Sequence, residues 1–93
     1  MNQKSIHVLI RGRVQGVGFR GFVRHQAEAL GIKGWARNLS NGGVEAVFSG
    51  DDAAVDAMVE ACRRGPSGAL VAELKVEPYT GAPETRFEIR STV

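Results

Sequence analysis

The segment IRGRVQGVGFRGFVRHQAEALG (residues 10–31) joins three patterns that decide the fold. It opens at the end of an alternation in which Ile6, Val8 and Ile10 occupy every second position, which predicts a half-buried β-strand. Glycines then interrupt the alternation. Apolar residues next recur at helical spacing until Gly31, a residue type that commonly ends helices. The segment therefore predicts a strand, a glycine-rich loop and a helix.

The remaining sequence predicts four further strands and a second helix. The strands show alternating apolar residues, and the Asn41-Gly42 pair is a strong hairpin signal between the first two of them. Asp51 and Asp52 provide negative charge where a helix begins, and an apolar stripe follows them. The predicted elements are strands over residues 33–39, 43–49, 70–76 and 87–89, a turn over residues 78–83, and a helix that ends before Gly65 and Pro66.

This order of elements, β-α-β-β-α-β with one extra strand, is typical of the ferredoxin-like split βαβ sandwich. We therefore predict an α+β fold in which an antiparallel sheet of four to five strands carries two helices on one face. The 93 residues, of which 43% are hydrophobic, are enough for one core but not for two. The sequence predicts a single domain over residues 1–93.

The sequence contains no long apolar run and a single cysteine. Because a signal peptide or a membrane span needs such a run, we expect a cytoplasmic protein that does not contact a membrane. Cys62 falls on the apolar stripe of the second helix with Met58 and Val59, which favours a buried core residue over a reactive thiol. No pattern predicts an oligomer, and we expect a monomer.

Positive charge is concentrated in the first 37 residues. The net charge of the chain is only +2, yet Glu28 is the one acidic residue of this stretch. This asymmetry predicts an anionic ligand near this part of the chain. The basic residues concerned are Lys4, Arg11, Arg13, Arg20, Arg24, Lys33 and Arg37.

The glycine-rich loop has the features of a phosphate-binding loop. Its glycines allow backbone N–H groups to converge on an oxyanion, and the helix that follows contributes unpaired N–H groups at its positive end. Arg20 adds a planar fork of donors that suits phosphate oxygens. The loop lacks the Gly-Lys-Ser/Thr ending of a P-loop and the acidic residue of a dinucleotide site. On spacing alone, a purely structural turn is the more common outcome.

Two segments resemble the signatures of the acylphosphatase family. Residues 10–20 match throughout the pattern aliphatic-x-Gly-x-Val-Gln-Gly-Val-x-Phe-Arg. The second segment is Gly34-Trp35-Ala36-Arg37-Asn38, which is followed at the family spacings by Gly42, Val44 and Gly50. The two motifs are independent, and the order of elements also agrees over nearly the whole chain.

The resemblance implies an enzyme that hydrolyses the carboxyl-phosphate bond of acyl phosphates without a metal or a cofactor. Backbone N–H groups of the loop would hold the substrate phosphate, Arg20 would bind its oxygens, and Asn38 would position the attacking water. Inorganic phosphate would be both product and competitive inhibitor. Leu39 departs from family members that carry a hydroxyl residue there, so substrate range or rate could differ. The implied phosphate-binding residues are Gln15, Gly16, Val17, Gly18, Phe19 and Arg20.

Two other functions compete with this interpretation. Ferredoxin-like folds also bind RNA, and a basic first half would favour it, but the strands lack exposed aromatic residues and Trp35 is expected to pack against its neighbours. We therefore expect no nucleic acid partner. The second alternative is a relative of the acylphosphatase-like domain at the front of carbamoyltransferase maturation factors, which would share the site. The absence of cysteine-rich zinc segments favours an independent enzyme.

Overall fold

The computed structural model describes residues 2–82 and 84–93, and these residues form five strands and two helices. The predicted glycine-rich loop lies between the first strand and the first helix, and the first helix ends at Gly31 as expected. The elements in chain order are β1 (Gln3–Arg13), α1 (Phe19–Leu30), β2 (Lys33–Asn38), β3 (Val44–Asp51), α2 (Asp52–Arg64), β4 (Leu70–Pro78) and β5 (Phe87–Ile89).

The five strands form one sheet in the order β4-β1-β3-β2-β5. The predicted ferredoxin-like arrangement is confirmed, because β1 pairs antiparallel with β3 and β4, and β2 pairs antiparallel with β3. The prediction of a purely antiparallel sheet is wrong for β5, which runs parallel to β2. The chain reverses after β4 and joins the opposite edge of the sheet, where β2 already runs in the new direction. The sheet is therefore mixed.

The connection between β4 and β5 differs in part from the predicted turn over residues 78–83. Pro78 is the last residue of β4, so the connection begins one residue later than expected. Pro83 lies outside the described residues. Beyond the connection, Phe87 of β5 is buried in the core, as the alternation around it predicts.

The hydrophobic core lies between one face of the sheet and the two helices. Every second strand residue and one stripe of each helix supply it, which is what the sequence periodicities predict. Its members on these elements are Ile6, Val8 and Ile10 of β1, Phe19, Val23 and Ala27 of α1, Ala36 of β2, Val44, Ala46 and Phe48 of β3, Val55, Met58 and Cys62 of α2, and Phe87 of β5.

The opposite face of the sheet carries charged side chains around one buried aromatic residue. Trp35 alternates with the core residue Ala36, so its ring lies on this outer face, where it is 5% exposed. The guanidinium carbons of Arg37 and Arg90 lie 4.9 and 4.8 Å from the ring centroid. Trp35 is therefore buried as predicted, but under two cations and not within the core.

The topology brings four chain segments together at one end of the sheet. The Cα of Ile10, near the end of β1, is paired with that of Val44 at the start of β3, and Val44 is paired in turn with Asn38 at the end of β2. The loop that follows β1 leads into α1 at this same end. Within residues 2–82 and 84–93, no helix is long and apolar enough to cross a membrane.

Cys62 provides a test of this core, because its thiol is fully buried on α2. Burial raises the pKa of the thiol to about 12, so the reactive thiolate is scarce at neutral pH. We expect Cys62 in the native protein to react with a disulfide reagent at least about 100-fold more slowly than in urea, since reaction requires opening of the core. The variant Cys62→Ala, Ala57→Cys is the control, because it carries an exposed thiol on the same helix and should react at once. Rapid labelling of native Cys62 would contradict the packing described here.

Candidate active site

The loop between β1 and α1 has a backbone shape that suits an anion. Gly16 and Gly18 have positive φ angles of 76° and 77°, whereas Val17 between them has a negative one. Left-handed residues that alternate with others can turn successive N–H groups toward a common point, which is how a concave anion site forms. Gly18 is also the N-cap of α1, so this concavity continues into the positive end of the helix.

The N–H groups of this loop have no protein acceptors. In the described part of the chain, no backbone N–H from Gln15 to Arg20 donates to a carbonyl or to a side chain, and the first bond of the helix is donated by Phe22 to Gly18 O at 3.0 Å. The N-terminus of α1 has no side-chain cap and no acidic residue in its first turn. The helix start is thus open to an external anion, which its dipole favours.

Arg20 supplies the positive side chain at this helix start. It lies in the first turn of α1 and is half-buried. Most of the other cations are paired, for example Arg24 with Glu28 at 3.4 Å and Arg37 with Glu45 at 2.7 Å. Among the ion pairs of residues 2–82 and 84–93 there is none that involves Arg20. Its guanidinium therefore has no carboxylate partner there and keeps a free planar fork for phosphate oxygens.

Asn38 lies opposite the loop as the last residue of β2. Alternation with Ala36 puts its half-buried side chain on the helix side of the sheet, and its carbonyl accepts a bond from Val93 N at 3.3 Å. In the part of the chain that the structure describes, its side-chain amide has no hydrogen-bond partner. The backbone of Asn38 is thus fixed while its amide remains available to a small ligand.

Gln15 connects these two parts of the site, which the sequence did not reveal. Its side-chain Nε2 donates to Leu39 O and to Gly43 O, both at 2.8 Å. Gly43 O also accepts from Leu39 N at 2.8 Å, so the amide of Gln15 completes the hairpin directly after Asn38. The side chain of Gln15 therefore holds the loop against the hairpin, and only its backbone can serve a phosphate.

A cavity of about 330 Å³ brings the predicted residues together. Its lining residues are Val14, Gln15, Gly16, Gly18, Phe19, Arg20, Gly21, Asn38 and Ile89. Val17 does not line it, because its side chain packs against the hydrophobic core. Ile89 was not predicted as a site residue, since it belongs to β5 and to neither signature.

A larger cavity of about 660 Å³ lies at the other end of the sheet. Its walls carry both signs of charge, including Lys4, Lys33, Asp51 and Glu84, and Lys4 is already bonded to Asp56 at 2.7 Å. Size alone does not make it the reaction site, because the open amide loop lies at the smaller cavity. Lys33, which takes part in none of the ion pairs of the described residues, is an exposed side chain of the larger cavity with no such loop beside it. The smaller cavity combines these features.

The other titratable residues near the loop offer no further chemistry. His25, one turn beyond Arg20 on α1, is exposed and does not line the cavity. The described residues contain no group of three or more His, Cys, Asp and Glu side chains that could hold a metal ion. The chemistry that the cavity can supply is thus binding of an oxyanion by amides and a guanidinium, beside a free carboxamide.

Fold and cavity together define a ferredoxin-like α+β protein with an oxyanion-binding loop at the start of its first helix. Comparison with known proteins agrees. The sequence model of the family described as Acylphosphatase matches residues 6–89. An acylphosphatase of Moorella thermoacetica is 52% identical over 93 residues, which cover all of both chains. The solved acylphosphatase of Coxiella burnetii superposes with a TM-score of 0.91 at 38% identity, covering 96% of this chain and 94% of that one.

The chain belongs to the acylphosphatase family. Its activity is the hydrolysis of acyl phosphates, a reaction of acid anhydrides that contain phosphorus. A full-length HypF in its phosphate- and nucleotide-bound form is also similar, with a TM-score of 0.90 at 28% identity, but the chain covers only 12% of that protein.

The connection made by Gln15 can be tested by replacing it with a residue of similar length that cannot donate. We expect Gln15→Met to lose about 1–2 kcal/mol of stability, the net value of two hydrogen bonds. Turnover should fall about tenfold or more, because the hairpin that carries Asn38 is no longer fixed to the loop. The inhibition constant of inorganic phosphate should change little, since the loop amides remain. Gln26→Met on α1 is the matched control, and equal effects of both variants on turnover would contradict a positioning role for Gln15.

Proposed function

We propose that the amides of the Gln15 to Arg20 loop and the guanidinium of Arg20 hold the phosphoryl group of the acyl phosphate, while Asn38 orients the water that attacks it. The observation that carries this proposal is the shared cavity, in which an unpaired Arg20 and a free Asn38 amide face the same space beside open loop amides. Arg20 and Asn38 are half-buried and Gly16 and Gly18 are exposed, so one ligand that enters the cavity can reach all of these groups.

The leaving group explains why this set of residues suffices. A carboxylic acid has a pKa of roughly 4, so the departing carboxylate needs no proton at neutral pH. Among the described residues that line the cavity, there is accordingly no Asp, Glu or His. The reaction requires stabilised charge and a correctly oriented water, and it does not require an acid.

The proposed step is an in-line displacement at phosphorus. The water oxygen forms a bond to phosphorus while the bond to the acyl oxygen breaks and its electron pair leaves with the carboxylate. Loop amides and Arg20 neutralise the charge on the equatorial oxygens, which is the main demand of phosphoryl transfer. Asn38 accepts a hydrogen bond from the water through its amide oxygen. Because an amide is a poor base, the water proton passes to a phosphate oxygen of the substrate.

We further propose how the enzyme is inhibited, where it acts and which partners it lacks. Inorganic phosphate acts as a competitive inhibitor, since the same amides and Arg20 would hold it. The chain acts as one domain over residues 1–93, as a cytoplasmic monomer, and without a metal or a nucleic acid partner. The outer sheet face supports the absence of a nucleic acid partner, because the Trp35 ring is buried beneath the guanidinium groups of Arg37 and Arg90 and offers no exposed platform for a base.

Arg20→Lys tests the guanidinium. A point charge cannot make the two-pronged contact, so we expect kcat/KM for acetyl phosphate to fall by about 100- to 1000-fold, the scale of one lost charge-stabilising donor. Arg24→Lys is the matched control on the next turn of α1, where the side chain is exposed and bonded to Glu28. All assays contain a metal chelator. A wild-type enzyme that needed added metal, or an active Arg20→Lys variant, would count against the proposal.

Asn38→Ala tests the orientation of water. We expect kcat to fall by about 100-fold or more, because the contribution is made in the transition state, whereas the inhibition constant of inorganic phosphate should change only a few fold. Ser40→Ala in the adjacent hairpin is the control. If phosphate affinity fell in step with kcat, Asn38 would be part of the phosphate cradle and the attacking water would need another guide.

A further inference from the structure

The cavity is larger than a phosphoryl group requires. A water molecule occupies roughly 30 Å³ of liquid, and a phosphoryl group takes the space of only a few waters. The cavity measures about 330 Å³, so it has room for part of the acyl tail as well. The loop amides, Arg20 and Asn38 contact the phosphate and the water. The remaining residues of the cavity wall therefore decide which acyl tail can bind.

Ile89 forms the remaining wall of the cavity. Val14 and Phe19 are only 1% and 2% exposed, so they lie beneath the surface that a ligand could touch. Ile89 is half-buried and packs with one side against the core. Its Cα is paired with that of Ala36, two residues before Asn38 on the same face of β2. Ile89 thus presents an apolar surface next to the residue proposed to orient the water.

The position of Ile89 is fixed by the segment that follows it. Arg90 N donates to Ala36 O at 2.9 Å, and Val93 N donates to Asn38 O at 3.3 Å. On the outer face, the guanidinium of Arg90 lies against Trp35 and donates to Glu84 at 3.0 Å. Backbone and side-chain contacts therefore hold Ile89 in register with Asn38, as a specificity wall requires.

The charge of the walls restricts the tail further. Among the described residues of the cavity, Arg20 alone is charged. In the proposed complex its guanidinium already binds the phosphate. A second anionic group on the tail would lose water without gaining a partner. Each methylene that packs on an apolar wall favours binding by about fourfold.

We propose that Ile89 is the acyl-tail contact of the enzyme and that it selects acyl phosphates with uncharged, apolar tails over those whose tail carries a second anion. This inference rests on the proposed function of the same cavity. It adds a specificity-determining residue from β5, outside both sequence signatures.

The test compares three substrates on one set of variants. Acetyl phosphate has almost no tail, benzoyl phosphate has an apolar one, and 4-carboxybenzoyl phosphate adds an anion at the far end. In the wild type, kcat/KM should be higher for benzoyl than for 4-carboxybenzoyl phosphate. Ile89→Val should lower the kcat/KM ratio of benzoyl to acetyl phosphate by up to about fourfold, and Ile89→Ala by up to about 60-fold, since these changes remove one and three methylene-sized groups. Ile89→Lys should raise the kcat/KM ratio of 4-carboxybenzoyl to benzoyl phosphate by about tenfold or more, because the added cation can pair with the carboxylate.

Val59→Ala is the matched control, because Val59 is a half-buried apolar residue of α2 that packs against the core and does not line the cavity. Its substrate ratios should equal those of the wild type. Ratios of kcat/KM that stay unchanged in both Ile89→Val and Ile89→Ala, or that change equally in Val59→Ala, would overturn the assignment of Ile89. The conservative Ile89→Val variant keeps the test decisive should Ile89→Ala fail to fold. Failure of the proposed function would appear separately, as an Arg20→Lys or Asn38→Ala variant that hydrolyses acetyl phosphate as fast as the wild type.

Discussion

The two hydrogen bonds from Gln15 to the hairpin carbonyls are the contact on which the site depends. Arg20 belongs to α1 and Asn38 to β2, and the packing of a helix on a sheet does not by itself fix two side chains to within a fraction of an ångström. The amide of Gln15 spans this gap by bonding Leu39 O and Gly43 O. Because the same residue begins the anion loop, the phosphate site and the water site share one rigid connection. The loop amides can hold a phosphate without that connection, but turnover also needs Asn38 to be fixed beside it.

The parallel attachment of β5 has a consequence for the cavity. An antiparallel partner of β2 would run its chain away from the end of the sheet where Asn38 lies. Since β5 runs parallel to β2, the residues after it continue past Asn38, and Val93 N reaches the Asn38 carbonyl. The same direction brings Ile89 to the cavity wall. The strand that departs from the expected antiparallel sheet is therefore the one that completes the site.

Local patterns explain what the sequence could predict. The alternation of Ile6, Val8 and Ile10 and the stop at Gly31 depend on neighbours a few residues away, and the structure confirms them. Arg20 and Asn38 were found through family signatures, and both line one cavity. The bonds of Gln15 and the place of Ile89 were missed. The bonds of Gln15 join residues 24 or more positions apart, and the position of Ile89 depends on the direction of an edge strand. Neither feature produces a periodic pattern in the sequence.

Two groups of basic residues in the first 37 positions differ in whether a carboxylate neutralises them. On the outer face, Glu45 binds both Arg37 and His7, at 2.7 and 2.6 Å. Partial burial acts to raise the pKa of Glu45, but the hydrogen bonds from His7 and Arg37 outweigh it and hold the pKa below its usual range. The carboxylate therefore stays charged and neutralises Arg37.

The second group lies at the loop end of β1. Arg11, Arg13 and Arg20 take part in none of the ion pairs of the described residues, and of these three only Arg20 lines the cavity. Exposed charges are screened within about 8 Å at physiological salt, so Arg11 and Arg13 can attract an anion but cannot hold it. Recognition of the phosphoryl group thus depends on Arg20, the guanidinium that lies in the cavity without a carboxylate partner. The small net charge of the chain has little bearing on it.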